Sequence, residues 1–183
     1  MHKQGSSSVH WFSPTARLAL VALVAFTAPD RVAAQAVTLL LGNGTAGTAV
    51  AGTGLSSLRI PVRVQFGSGS QVNLAAVQGD VRWDPVAVRL DSARLVPGGP
   101  FTLTANMQEA AAGRYRFSLF APNGVTQRRD LVWLYFTPQQ AIADTGVPVT
   151  LGVDAAGDEM GRSLVPGLPV QSTRLCRQSP RCR

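Results

Sequence analysis

The strongest constraint on the fold is a strict alternation in GDVRWDPVAVRLDSARL, residues 79–95. In its first half Val81 and Trp83 lie on one side of an extended chain, and Asp80 and Arg82 lie on the other. A period of two residues is that of a β-strand with one face buried and the other in water. The first half of the stretch therefore predicts a strand.

The alternation breaks at Trp83-Asp84-Pro85 and resumes at once. After the break, apolar residues again alternate with small or charged ones: Val86, Val88 and Leu90 against Ala87, Arg89 and Asp91. This pattern predicts a second half-buried strand. We expect the two strands to meet at a corner formed by the Trp-Asp-Pro sequence.

The rest of the chain repeats this kind of segment. Turn signals such as GSGS and Asn-Gly separate the segments, and a helical period is absent apart from a short EAAAG turn ended by Gly113. Seven to nine short strands with turns between them favour an all-β sandwich. The other predicted strands are LRIPVRVQF (58–66), FTLTANMQ (101–108), RYRFSLF (114–120), LVWLYF (131–136), VPVTLGV (147–153) and a weaker one within 162–172.

The first residues have the composition of a targeting segment. A basic start is followed by the apolar run LALVALVAF at 18–26 and the small residues VAAQA at 32–36. An apolar run this short does not reach the roughly 20 residues needed to cross a bilayer. We interpret residues 1–36 as a secretory signal peptide, with a retained membrane anchor as the alternative. The remaining chain is about one domain in length, and we expect it to be secreted or held in the cell envelope.

The positive charge is concentrated at the ends of the chain. The formal net charge is +7, but residues 37–173 contain ten arginines against nine acidic residues, a net charge of +1. Residues 174–183 form a basic tail with four arginines and no acid. A nucleic-acid-binding domain usually carries its basic residues along one face. We therefore expect no nucleic-acid partner.

Both cysteines, Cys176 and Cys182, lie in the terminal CRQSPRC sequence. In an oxidising compartment they could close a small disulfide loop. A flexible tail, with thiols that stay unpaired or pair between molecules, is the alternative. A zinc site is not expected, because no histidine lies nearby.

The exported chain would lack two residue types, histidine and lysine, that often take part in catalysis. His2, His10 and the single lysine, Lys3, all lie in the predicted signal peptide. Without them there is no histidine-activated nucleophile, no histidine metal ligand and no Schiff base. The acidic residues are not grouped as a two-carboxylate site would require. We expect a protein that is not an enzyme and uses no cofactor.

One acidic segment, DAAGDE at Asp154–Glu159, places oxygen ligands around a glycine. A calcium ion suits such a loop, but the spacing matches no complete calcium-binding motif. A hairpin turn with solvated acids is the favoured interpretation. No metal site is predicted.

Five segments together resemble the cohesin family, the bacterial modules that dock proteins onto scaffolds by binding a dockerin. The most specific is the corner, which has a Tyr-Asp-Pro-like form in the family and reads Trp83-Asp84-Pro85 here. The resemblance spans residues 37–172, in the family's order. Its segments are IPVRV, VQGDVRWDP followed by VAVRLDSARL, GRYRFSLF, LVWLYFTP and VTLGVDAAGDEMG.

The resemblance implies a two-sheet jelly-roll sandwich of about nine strands in a domain over residues 37–173. It also implies a dockerin partner, bound on the flat sheet of the third, fifth, sixth and eighth strands of the family. With no second cohesin beside it, the module would be a free-standing adaptor or cell-envelope protein. The implied partner-binding residues, which alternation also places outward, are Asp80, Arg82, Thr102, Thr104, Asn106, Arg114, Arg116 and Ser118. An ordinary polar surface is the alternative interpretation of this face.

The run LVWLYF supports a second hypothesis, polysaccharide binding. If Val132, Leu134 and Phe136 face the core, as in the family, then the alternate residues face outward on the opposite sheet. Exposed flat aromatic rings stack on sugars, although a fully apolar run is also typical of a strand buried on both sides. The outward residues would be Leu131, Trp133 and Tyr135.

Overall fold

The computed structural model describes residues 37–42, 49–52, 57–142, 146–165 and 168–177. The predicted signal peptide and residues 178–183, including Cys182, lie outside these ranges. Among the described residues, no helix is both long and apolar enough to cross a membrane.

Two packed sheets make up the described part of the chain. The strands are β1 (Val37–Leu41), β2 (Ala49–Gly52), β3 (Leu58–Phe66), β4 (Leu74–Trp83), β5 (Val88–Leu95), β6 (Thr102–Asn106), β7 (Arg114–Val125), β8 (Arg129–Pro138), β9 (Val147–Asp158), β10 (Val170–Gln171) and β11 (Thr173–Arg177). One sheet has five strands in the order β10-β1-β3-β8-β5, and the other has six in the order β2-β11-β9-β4-β7-β6. The predicted two-sheet all-β sandwich is confirmed. The described ranges hold more than nine strands because the short β2 and β10 each extend one edge of a sheet.

The core lies between the sheets and is filled by alternate residues of both. On β8, Val132, Leu134 and Phe136 are completely buried, as the sequence predicts. On β7, Tyr115 and Leu119 are equally buried. Burial of each Val, Leu or Phe side chain contributes roughly 1.5–3 kcal/mol to the free energy of unfolding, relative to leaving it exposed. The opposite positions of these strands point to solvent, which leaves one outer face on each sheet.

The Trp-Asp-Pro corner carries the chain from one sheet to the other, because β4 belongs to the six-stranded sheet and β5 to the five-stranded sheet. Asp84 builds the turn: its Oδ1 accepts a hydrogen bond from the Val86 amide at 2.9 Å, and its carbonyl accepts one from the Val88 amide at 3.1 Å. Trp83 is buried with its ring edge-on to that of Phe136, at 5.2 Å between centroids.

The alternation does not resume at once after the corner, as the sequence suggested. The turn occupies residues 84–87, and β5 begins at Val88. Val86 is consequently 69% exposed, whereas Ala87 is buried. Hydrogen bonding by Asp84 overrides the apolar pattern at these two positions.

Gly113 fixes the corner from the other side. It ends a short 3-10 helix (Ala110–Ala112) at a φ of 79°, and its carbonyl accepts a hydrogen bond from the Trp83 amide at 3.0 Å. A Cβ placed on Gly113 would lie 2.3 Å from the Trp83 carbonyl oxygen and 2.8 Å from Pro85 Cδ. Only glycine satisfies both the left-handed backbone and this close approach.

We expect Gly113→Ala to lower the free energy of unfolding by about 2 kcal/mol, from backbone strain plus the clash. Gly69→Ala is the matched control, because Gly69 has a φ of 75° but a Cβ placed on it would have no atom within 4 Å. The control should lose about 1 kcal/mol, for the backbone alone. Urea unfolding of both variants measures the difference, and equal losses would exclude the clash.

The sandwich extends beyond the predicted boundary at residue 173. β11 pairs antiparallel with β9 and parallel with β2, and its Leu175 and Cys176 are buried. The arginines in this segment concealed its strand character. Cys182 lies outside the described residues, so the disulfide between Cys176 and Cys182 stays a prediction.

Candidate functional site

The strands that carry the eight predicted partner-binding residues are neighbours in the six-stranded sheet, in the order β4-β7-β6. Asp80 on β4 lies opposite Arg116 on β7, and Arg116 in turn lies opposite Asn106 on β6. Thr104 lies opposite Ser118 in the same way. Residues directly opposite one another share a face of the sheet. The structure therefore brings these residues together on one outer face, which we call the docking face after the role that the sequence predicts for it.

Exposure differs among the eight residues. Arg114 is partly covered, with 27% of its side chain exposed, and Asp80 is buried. The other six are exposed: Arg82, Thr102, Thr104, Asn106, Arg116 and Ser118.

Asp80 is buried because two arginines cover its carboxylate. Oδ2 accepts hydrogen bonds from Arg114 Nε at 2.6 Å and from Arg82 Nε at 2.9 Å. On the adjacent β9, a Cβ on Gly152 would lie only 2.6 Å from Asp80 Oδ1. The absence of a side chain at Gly152 leaves room for the carboxylate to lie against this strand.

A second carboxylate extends the network across the face. Glu109, next to the 3-10 helix, lies 3.3 Å from Arg114 Nη1 through Oε2 and 3.6 Å from Arg116 Nη2 through Oε1. The three arginines are thus linked through two carboxylates. Each guanidinium keeps other N–H groups that can donate to a partner.

The electrostatics keep this network charged. Burial by itself raises the pKa of Asp80, but hydrogen bonds from Arg82 and Arg114, together with their charges, hold it below its usual value. The hydrogen bond to Asp80 raises the pKa of Arg114. Ionised side chains fixed by one another lose less conformational freedom when a partner binds.

The docking face also has an apolar part that the sequence analysis missed. Phe120 on β7 is 55% exposed and lies opposite Ala76 and Thr102. It borders a depression of about 500 Å³ lined also by Pro122 and Ala155. The sequence did indicate that Phe120 faces outward, because the alternation that places Arg116 and Ser118 on the outer face continues to Phe120.

A smaller depression of about 220 Å³ adjoins the first, and the two share Gln78 and Ser118. Its wall includes Asp154 from β9 and Arg116 from β7. The pairing of β4 with β9 shifts at Gln78/Gly79. Because such a bulge changes the register, the position of Asp154 on this face could not be read from the sequence.

The segment Asp154–Glu159 forms the end of β9 and the start of a turn. The sequence predicted that the acidic residues of this turn would all be solvated, but one of them is not. Asp158 is buried: its Oδ1 accepts hydrogen bonds from the amides of Met160 at 3.0 Å and Arg162 at 2.8 Å. Burial raises the pKa of Asp158, and hydrogen bonds from the Arg162 backbone and side chain lower it below its usual value. Within the described ranges, no three His, Cys, Asp or Glu residues are grouped to hold a metal ion.

The aromatic residues of the alternative hypothesis lie on the opposite sheet, and both are partly buried. The Arg59 guanidinium lies 4.7 Å from the ring centroid of Trp133, and that of Arg94 lies 5.6 Å from the ring centroid of Tyr135. Leu131 does not face outward as predicted and is buried in the core. A register shift between β3 and β8 at this point adds an extra residue on β8 and turns Leu131 inward.

The described residues thus form a two-sheet β-sandwich, and one outer face of it has two open depressions. No protein-family model matches the chain, and no curated protein matches it. Among solved structures, a cohesin from scaffoldin B of Acetivibrio cellulolyticus, in complex with a dockerin, is 18% identical, with a TM-score of 0.61 over 78% of this chain and 99% of that one.

Two further solved structures agree with this fold. A type I cohesin–dockerin complex from Clostridium thermocellum is 8% identical, with a TM-score of 0.62 over 78% of this chain and 99% of that one. A non-cellulosomal cohesin from the archaeon Archaeoglobus fulgidus is 15% identical, with a TM-score of 0.56 over 79% of this chain and 94% of that one. The described residues therefore have a cohesin-like fold.

Proposed function

We propose that this protein is an exported, non-catalytic module that binds a dockerin-type protein partner through the docking face. The observation that carries the proposal is the fixed network of Arg82, Asp80, Arg114, Glu109 and Arg116 beside the exposed Phe120. Fixed arginines next to an exposed aromatic ring are typical of protein interfaces.

The geometry favours a protein over a small ligand. The two depressions on this face are open to solvent, adjoin each other and are lined by residues of several strands. Small-molecule sites, in contrast, are concave and enclose most of the ligand. Two of the similar solved structures are cohesins bound to dockerins, which supports a partner of the same kind.

The export part of the proposal rests on the composition of residues 1–36 and places the partner in the secreted or cell-envelope fraction. Polysaccharide binding is less well supported as the main function. A stacking platform needs an open ring face, whereas arginine side chains lie over Trp133 and Tyr135.

The test is a pull-down with tagged residues 37–183 from the secreted and envelope fractions of the native organism, with calcium and with a chelator. We expect calcium-dependent capture of a protein that contains a duplicated acidic loop and helix. Arg116→Glu combined with Phe120→Asp should weaken this capture at least about a hundredfold, since each loss is on the order of a tenfold effect or more. Both side chains are exposed, so the fold should survive.

Arg128→Glu is the matched control, because Arg128 is exposed in the turn between β7 and β8 and undergoes the same charge reversal. It should leave capture unchanged. Arg82 is unsuitable for charge reversal, since the change would remove a hydrogen-bond donor from the buried Asp80 carboxylate. Undiminished capture by the folded double variant, or equal loss in the control, would contradict the assignment of the docking face.

A further inference from the structure

The outer face of the five-stranded sheet carries a crossed pair of arginines and aromatic rings. Arg59 on β3 lies opposite Tyr135 on β8, yet its guanidinium covers the ring of Trp133. Arg94 on β5 lies opposite Trp133, yet its guanidinium covers the ring of Tyr135. Each arginine thus reaches diagonally across β8, and two cation–π contacts hold the pair over adjacent rings.

These two arginines differ from Arg63 and Arg89 of the same sheet. Arg63 forms an ion pair with Asp130 at 2.5 Å, and Arg89 forms one with Asp91 at 2.9 Å. In the described part of the chain, no carboxylate lies within ion-pair distance of Arg59 or Arg94. Both side chains are exposed, so their positive charges remain available to an anion.

We propose that Arg59 and Arg94 together bind an anionic polysaccharide, a polymer of sugars that carry carboxylates. Arginine matches a carboxylate with two parallel hydrogen bonds. Stacking on Trp133 and Tyr135 pre-orients the two guanidinium planes, which lowers the entropy cost of binding. The two rings are themselves partly exposed, and beside the guanidinium groups they provide apolar contact for the C–H groups of the sugar.

The surroundings favour this ligand over an anionic membrane. Peripheral membrane binding combines basic residues with apolar side chains that enter the lipid. Among the described residues, the exposed large hydrophobic side chains are Val86, Met107, Phe120 and Met160. None of them lies on a strand of the five-stranded sheet. This face is therefore positively charged but has no exposed large apolar side chain that would enter a lipid layer.

Binding here is independent of the docking face, because the two surfaces lie on opposite sheets of the sandwich. The module can therefore hold a protein partner on one face and an acidic glycan on the other. Failure of one proposal leaves the other unaffected.

The experiment is affinity electrophoresis of residues 37–183 through gels that contain polygalacturonate or, as the uncharged match, its fully methyl-esterified form. We expect retardation by polygalacturonate alone, weakening as salt is added. Arg59→Gln with Arg94→Gln should weaken it at least about tenfold, the effect of losing one charge-assisted contact. Arg89→Gln is the control, since Arg89 is exposed on the same sheet but paired with Asp91, and it should bind normally.

The proposal would be overturned by equal retardation by both polymers, by unchanged binding of the double variant, or by an equal loss in the Arg89→Gln control. Equal retardation by polyglutamate would also overturn it, because the surface would then recognise anions without regard to the sugar. A thermal melt of each variant checks that the sandwich is intact.

Discussion

Trp83→Ala should lower the free energy of unfolding by about 3–5 kcal/mol, the usual loss when a large buried aromatic side chain is truncated. Trp83 is 7% exposed and packs edge-on against Phe136, which is completely buried in the opposite sheet. The truncation removes a contact between the two sheets at the point where the chain crosses between them. Denaturant unfolding followed by circular dichroism measures the loss.

Two variants make this prediction specific. Trp83 Nε1 is buried and has no hydrogen-bond partner among the described residues. Trp83→Phe should therefore restore most of the stability, since it keeps a ring without burying an unpaired N–H group. Trp133→Ala should cost clearly less than Trp83→Ala, because Trp133 is only partly buried. If Trp133→Ala were the more destabilising change, the sheet contact at Trp83 would not have the role assigned to it.

The predictable part of the fold is the part that depends on local alternation. Val132, Leu134 and Phe136 were expected in the core and are fully buried. The same period placed Arg116 and Ser118 on the outer face of β7. These inferences succeed because a strand has only two faces, so one buried residue fixes the orientation of its neighbours until the register changes.

The errors occur where a register shift or a hydrogen bond breaks the period. Leu131 lies at a bulge and turns inward, and Val86 is exposed because Asp84 builds a turn. Asp80 was expected to face solvent, and it does lie on the outer face, but Arg82 and Arg114 cover it. The partner of Asp80 on β7 is 34 residues away in sequence, and no local pattern reveals such a pair.

Asp80→Asn should lower the free energy of unfolding by about 2 kcal/mol, less than the range for a fully buried ion pair because both arginines are partly exposed. The amide has nearly the same shape as the carboxylate, so the loss reports on charge. Asp91→Asn is the control, since Asp91 pairs with an arginine whose side chain is 63% exposed. It should cost less than about 1 kcal/mol.

The pH dependence of the free energy of unfolding tests whether the charge of Asp80 causes the loss expected for Asp80→Asn. The pKa of Asp80 is lower in the folded protein than in a free aspartate, so its ionised form stabilises the fold. That contribution is fully present above the unfolded pKa of about 3.9 and is lost as the pH falls through the lower folded value. The wild-type protein should therefore lose stability steeply below about pH 4, and Asp80→Asn should show a shallower acid limb. Asp158, whose pKa is also lowered, contributes to the slope in the same direction.

The same variant connects stability to binding. Without the Asp80 carboxylate, Arg82 and Arg114 lose the acceptor that fixes their positions, and more entropy is lost when a partner binds. We expect partner capture to weaken about tenfold, the effect of one charge-assisted hydrogen bond, while the Asp91→Asn control captures normally. If Asp80→Asn kept an unchanged acid limb and unchanged capture, the carboxylate would be only a space-filling group, and the docking face would depend on its exposed residues alone.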